Sequence, residues 1–310
     1  MNFYQVGAPD AQTDQAPAVV LTDFGGLPNS KVYVAWRNAS PSVAANTVWY
    51  SSSTDNIHWS TPLQIRGSGW QAFTDHGPAL VLSEAFSEPQ ELLYAAWKGE
   101  GATQIWYSST KDGGNWTEPQ TVPGAATTNK PALGQNTTSG IGGPLAVAWL
   151  TADGSIEYAL SPSGISPTWM APMTVAPAGS SKLAPGLGSV SIGSLVFSWA
   201  DNDNTLWYQL PPNPPTRVAG SGFTSKTDAA PSIPSQVNYR GLACKGNGDT
   251  SIWVVKEFPN PPLTQQPVPG AATNYGPAWA GVGFVLAFSA DNLVVDGKTV
   301  PQLTIWTCVP

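Results

Sequence analysis

A Thr-Asp/Asn-x-x-Pro signature followed by a short apolar run recurs along this 310-residue chain. It reads Thr13-Asp14 to Pro17, Thr74-Asp75 to Pro78, Thr227-Asp228 to Pro231 and Thr273-Asn274 to Pro277. Thr128-Asn129 to Pro131 reads as a copy one residue shorter, and Ser181-Lys182 to Pro185 keeps the spacing with changed chemistry. The prolines lie 61, 53, 54, 46 and 46 residues apart. Self-similarity at such a period means a repeat architecture of six units.

Each unit repeats the same order of short apolar segments. An inner run such as Ala79-Leu80-Val81-Leu82 precedes a second, Val32-Tyr33-Val34-Ala35-Trp36, Leu93-Tyr94-Ala95-Ala96-Trp97 or Leu145-Ala146-Val147-Ala148-Trp149. A third reads Thr47-Val48-Trp49-Tyr50, Gln104-Ile105-Trp106-Tyr107 or Thr304-Ile305-Trp306, with Glu157 in the Trp position of unit three. β-branched and aromatic runs bounded by Gly, Asn, Asp and Pro are strands. Four strands per unit is the propeller-blade pattern. The chain is therefore expected to be all-β: one six-bladed β-propeller domain over 1–310, with antiparallel four-stranded blades at 15–72, 73–126, 127–179, 180–225, 226–272 and 273–310 plus 1–14.

The last blade explains that final addition. Fourth strands such as Gln64-Ile65-Arg66-Gly67, Thr121-Val122-Pro123-Gly124 and Arg217-Val218-Ala219-Gly220 have no counterpart after Trp306, whereas Gln5-Val6-Gly7-Ala8 matches them. The N-terminal segment is expected to pair onto the C-terminal blade and close the ring, which removes an exposed sheet edge.

Composition narrows the function. Only 11% of residues are charged, and 14 Trp supply more aromatic surface than a disordered chain carries. A net charge of -7 offers no basic stripe, so nucleic acid is disfavoured as a partner. No apolar run is long enough to span a membrane, so no membrane insertion is expected. The start, Met1-Asn2-Phe3-Tyr4, lacks a secretion signal, leaving a cytoplasmic location or a non-classical route out of the cell. Cys244 and Cys308 lack metal-ligand spacing and read as small apolar residues. No metal or cofactor is called for, and the oligomeric state is left open.

Two third-strand turns carry a further pattern, Ser53-Thr54-Asp55-Asn56-Ile57-His58-Trp59 and Thr110-Lys111-Asp112-Gly113-Gly114-Asn115-Trp116. These resemble the Asp box of bacterial-neuraminidase repeats, each one residue short between Asp and Trp. The resemblance implies a sialidase-like six-bladed propeller whose boxed Asp staples a turn away from the active face. It also implies a substrate carboxylate held by three arginines, a Tyr–Glu nucleophile pair and an Asp acid/base. Only four arginines exist, Arg37, Arg66, Arg217 and Arg240, and just Arg37 ends a second strand on the face where ligands are expected. Lysines such as Lys98 or Lys245 would substitute poorly for a guanidinium fork.

Other chemistry finds little footing. A glycosidase needs two carboxyls across one site; Asp14, Asp75, Asp228, Glu100, Asp153, Asp201, Asp203 and Asp249 spread over the blades, and Asp23 and Glu84 sit near inner-strand ends. Glu157 reads as a snorkelling or paired carboxylate before a catalytic one, and Asp201-Asn202-Asp203-Asn204 as a solvated turn. The repeated Asp/Asn either forms an Asx-turn ahead of Pro or offers acceptors to vicinal hydroxyls. Strand tryptophans are packing elements by default, whereas Trp70, Trp279 and Tyr275 fall outside the repeated slots as stacking candidates. The candidate ligand-binding set is Asp14, Trp36, Arg37, Trp70, Asp75, His76, Trp97, Lys98, Asn129, Asp228, Asn274, Tyr275 and Trp279. The leading expectation is a non-catalytic, multivalent lectin for glycans or glycoconjugates. A glycoside hydrolase and a protein-interaction platform are the alternatives.

Overall fold

The structure, a computed structural model, describes residues 2–6, 11–21, 31–40, 44–83, 92–136, 144–164, 166–191, 194–220, 223–234, 241–259, 262–280, 285–295 and 298–309. Gly7, Ala8, Asp23, Glu84 and Arg240, all named above, lie outside these residues. The fold is an all-β, six-bladed propeller of mainly four-stranded antiparallel blades.

Blade 1 orders Ala18–Leu21, Val32–Arg37, Val48–Ser53 and Leu63–Gln64 from the axis outward. Blade 2 uses Ala79–Ser83, Leu92–Lys98, Gln104–Thr110 and Gln120–Ala126; blade 3 uses Ala132–Gln135, Leu145–Leu150, Ile156–Ser161 and Met173–Ala176. Blade 4 orders Gly186–Ser191, Ser194–Ala200, Leu206–Gln209 and Thr216–Arg217. The last blade contains Ala278–Ala280, Val285–Val295, Lys298–Val309 and the N-terminal strand Asn2–Val6, whose partners run from Asn2↔Val309 to Val6↔Ile305.

The apolar patterning explains this layering. Second strands have neighbours on both sides and a blade on each face, so Leu92–Lys98 is buried throughout; Val48–Ser53 mixes buried and half-buried positions, and Gln120–Ala126 is largely exposed. Among the described residues the core divides into six clusters, each spanning two adjacent blades. One joins Val20, Ala35 and Tyr50 of blade 1 to Leu80, Ala95 and Trp97 of blade 2, and another joins Val34 and Trp36 to Ala287 and Ile305 of blade 6.

Three details correct the sequence expectation. The outer strands of blades 1 and 4 break into short pieces: Leu63–Gln64 pairs with Tyr50 and Trp49, Ile65 donates to Val48 O while Ala72 O accepts the Val48 N–H, and between them Arg66–Gly67 turns back through Gly69 (φ 85°) onto Trp70–Gln71. Blade 5 is a three-stranded sheet of Gly241–Lys245, Ser251–Lys256 and Thr264–Ala272, and Ser232 replaces an inner strand with a single bridge to Ala243. Pro231 and Pro234 flank that bridge, and proline has no N–H for a ladder. In blade 6 Trp306 faces Leu286, and Thr304 takes the place opposite Phe288 that Trp49 takes opposite Trp36. The long hairpin there, bulged between Ala290 and Leu293, sets its own register.

Candidate functional site

The loops leading into the inner strands share one device. Thr13, Thr74, Thr127, Ser181, Thr227 and Thr273 are buried, and each hydroxyl oxygen accepts a hydrogen bond from the N–H two residues on, at 3.0–3.4 Å. The hydroxyl, rather than the following Asp or Asn, therefore makes the turn ahead of Pro. This also corrects the alignment of unit three: Thr127 fills the slot, no residue is missing, and Asn129 stands one position past the acid slot, which Thr128 occupies.

The acids pair with the end of the second strand in their own blade. Asp14 meets Arg37, Asp75 meets Lys98 through both oxygens at 2.7 Å, and Asp228 meets Lys245 at 2.6 Å. Where the acid is missing, so is the cation: Thr128 goes with Leu150, Lys182 with Ala200 and Asn274 with Ser289. The remaining oxygen of Asp228 accepts the Gly248 N–H at 3.0 Å. Burial pushes the Asp75 carboxyl up, but the hydrogen bond and charge of Lys98, helped by His76, hold it below its ordinary value. Burial, together with Lys98 and Arg37, lowers His76 against the opposing pull of Asp75. Arg37 also donates to Thr74 O of the next blade at 3.2 Å and to Asn46 Oδ1, and Asn46 in turn donates to Glu100 at 2.5 Å. Asn46 reaches both by adopting a left-handed backbone, φ 65°.

Radially outside these pairs lie two clefts of the same design. The first, about 340 Å³, is walled by Trp36 and Trp49, with Gln12, Asn38 and Ser40 at its polar edge and Pro62 just before the outer strand. The second, about 460 Å³, repeats it one blade on, with Trp97 and Trp106 as walls, Gln71, Glu100 and Gln104 as polar groups, Phe73 in place of Gln12 and Pro119 in place of Pro62. In each the two tryptophans are cross-strand partners. Trp36 and Trp97 are 2% and 3% exposed, while Trp49 and Trp106 are half-buried. The sequence marks Trp49 and Trp106 as packing elements by default; the signal that singles them out is cross-strand pairing with a second-strand Trp, which Trp199 and Trp207 repeat in blade 4.

Other residues fall elsewhere. Trp70 sits in the blade 1 outer hairpin, stacked on Trp97 with centroids 6.5 Å apart. Trp279 is not in a loop: it is buried in Ala278–Ala280 and lies over Gly241, where a Cβ would stand 2.1 Å from its ring. Tyr275 is half-buried and Asn274 exposed. Arg66 and Arg217 are exposed on outer strands, Arg217 lying over the Trp207 ring at 5.0 Å. Asp55 and Asp112 staple their turns, each taking two backbone N–H groups at 2.7–2.8 Å; the His58 ring and then these bonds hold Asp55, and these bonds first hold Asp112, well below the usual carboxyl range. Asp201 holds Asp203 N, Thr205 N and the Trp207 indole. Glu157 is half-buried opposite Trp149, and burial pushes the Cys244 thiol up to about 12.

No protein-family model matches the chain, and no curated protein does. Solved structures match along nearly its whole length. A mutant Aleuria aurantia lectin in complex with α-methyl-L-fucoside shares 12% identity at a TM-score of 0.63, covering 96% of each chain. The intramolecular trans-sialidase from Ruminococcus gnavus shares 11% identity at 0.60, over 97% of this chain and 96% of that one. The NanB sialidase from Streptococcus pneumoniae shares 9% at 0.60, over 98% of this chain and 69% of its own. What these proteins share with the chain is the six-bladed fold.

Proposed function

We propose that this protein is a multivalent, non-catalytic lectin whose sites are the inter-blade clefts of the loop face. The carrying observation is the repeated two-tryptophan cleft. An indole face offers apolar contact to the C–H face of a sugar, and a few fixed amides and a carboxylate beside it bind hydroxyls. Each cleft, at about 340 and about 460 Å³, has room for a monosaccharide unit. The loop acids Asp14, Asp75 and Asp228 act in this reading as positioning groups, because their cationic partners occupy them. We further read residues 1–310 as one domain, with Asn2–Val6 closing the ring as the outer strand of blade 6.

The fucoside carried by the Aleuria lectin makes L-fucose the first sugar to try. A glycan array followed by titration calorimetry tests the proposal. It expects binding that free monosaccharide inhibits, more than one site per chain, and no release of reducing sugar. Saccharide-independent binding to a protein surface would move the assignment to an interaction platform.

A further inference from the structure

Residues of all six blades surround an axial cavity of about 60 Å³, lined by Ala, Val, Leu, Ile, Gly and Pro together with Ser232, Trp279 and Lys130. Lys130 is the one charged side chain in that lining among the described residues. It occupies the position just before the loop proline, which is Ala16, Gly77, Ala184, Ala230 and Gly276 in the other blades. Small residues there are dictated by crowding: a Cβ on Gly77 would stand 2.0 Å from Ala16 O, and one on Gly276 2.4 Å from Ala230 O. Lys130 thus sends a four-carbon stem into a space that every other blade leaves open. Its ammonium has no hydrogen bond or ion pair among the described residues. Ser232 is a second donor in the lining, because its oxygen accepts the Trp279 N–H at 3.0 Å while its own proton has no acceptor among the described residues.

We propose that this cavity is a binding site for one small monovalent anion, a halide or a carboxylate of formate size, held by Lys130 with the Ser232 hydroxyl. A water needs about 10–15 Å³ of such volume, so the space suits a small anion with a water or two. Lys130 is half-buried, and an unpaired charge drawn partly out of water carries a cost that a bound counter-ion relieves with a charge-assisted hydrogen bond. Burial pushes the Lys130 amine down to about 8, and no other titratable side chain lines the cavity among the described residues. An anion that binds the charged form must raise that value.

Protein carrying [13Cε]lysine, titrated by NMR in sodium formate and in sodium gluconate at equal ionic strength, tests this. Gluconate is too large for the cavity and controls for screening. The Lys130 signal is identified by its loss in Lys130→Ala. Its midpoint should lie higher in formate by about one unit or more, the size of a charge-assisted hydrogen bond. Formate should also raise the melting temperature of the wild type above its value in gluconate, and should do so in neither Lys130→Ala nor the length-matched Lys130→Met. Equal midpoints in the two salts, or stabilisation by formate that survives both substitutions, overturns the site. Sugar binding at the tryptophan clefts is expected to be untouched by Lys130→Ala, so this inference and the lectin reading succeed or fail separately.

Discussion

The ammonium of Lys98 lies 2.7 Å from both carboxylate oxygens of Asp75, joining the end of a second strand to the loop that enters its own blade's inner strand. The same pair recurs as Asp14–Arg37 and Asp228–Lys245, and both members change together in the other three blades.

That covariation predicts an exchange. Asp75→Thr alone strands a buried ammonium and should cost about 1–2 kcal/mol, discounted from the usual buried-pair figure because the carboxylate is more than a third exposed. Adding Lys98→Leu imports the Thr128/Leu150 combination of blade 3 and should restore most of the loss. Urea unfolding of the two singles and the double gives the coupling energy. Because Asp75 is lowered in the folded state, its contribution is present above the unfolded carboxyl's value of about 4 and disappears as pH falls through the folded one. The wild-type advantage over Asp75→Thr should therefore shrink below about pH 4.

Much of the fold was legible because propeller blades are written in local patterns. Pro17, Pro78 and their counterparts mark the inner strands, and Trp36 and Trp97 end the second strands as read. Features that depend on pairing between distant segments were not legible. Nothing local shows that Thr127 rather than Thr128 makes the turn hydroxyl, since adjacent threonines differ only in which one faces inward. The slip that sets Trp306 opposite Leu286 accompanies a hairpin bulge, and the two clefts form where Trp49 and Trp106 meet segments from elsewhere in the chain. Arg37, Lys98 and Lys245 stand out in the sequence as charges, but their partners lie 17 to 23 residues upstream.

Removal of residues 1–8 should lower the melting temperature by at least about 5 °C and promote self-association. Asn2–Val6 makes five register pairs with Lys298–Val309, and without them that strand becomes an exposed edge. Differential scanning calorimetry with light scattering checks both effects. An unchanged melting curve would remove the ring-closing role of the N-terminal strand.

Lys130→Ala should stabilise the protein at pH 7 in the absence of small anions, by about 1–2 kcal/mol. The sign follows from the direction of the shift: burial lowers Lys130 to about 8, so charged lysine is disfavoured in the folded protein. Below that value the penalty is fully present, and it is relieved as pH rises from about 8 towards the unfolded value near 10.4. Denaturant melts of wild type and variant should accordingly converge over that interval.

A fluorogenic sialoside should not be turned over. Among the described residues, recognition of its carboxylate by converging guanidinium groups has one well-placed contributor, Arg37, and that residue is engaged by Asp14, Asn46 and Thr74. Turnover that vanishes in Glu157→Gln would instead make the half-buried third-strand carboxylate of blade 3 a catalytic group.

Multivalency is the sharpest consequence of the repeated cleft. Glu100 is exposed and accepts one bond from Asn46, so Glu100→Ala should alter the second cleft with little effect on the fold, whereas Trp106→Ala removes its aromatic wall. Either change should lower the number of monosaccharide sites per chain by one and leave the affinity of the Trp36/Trp49 cleft unchanged. On a surface coated with the same sugar the loss should be far greater, because linked weak sites turn later contacts into intramolecular ones and avidity can exceed single-site affinity by about a hundredfold or more. Calorimetry paired with surface binding separates the two quantities. Stoichiometry that stays constant in Trp106→Ala, with the melting temperature showing the protein folded, would detach sugar binding from the tryptophan clefts and place it elsewhere on the loop face.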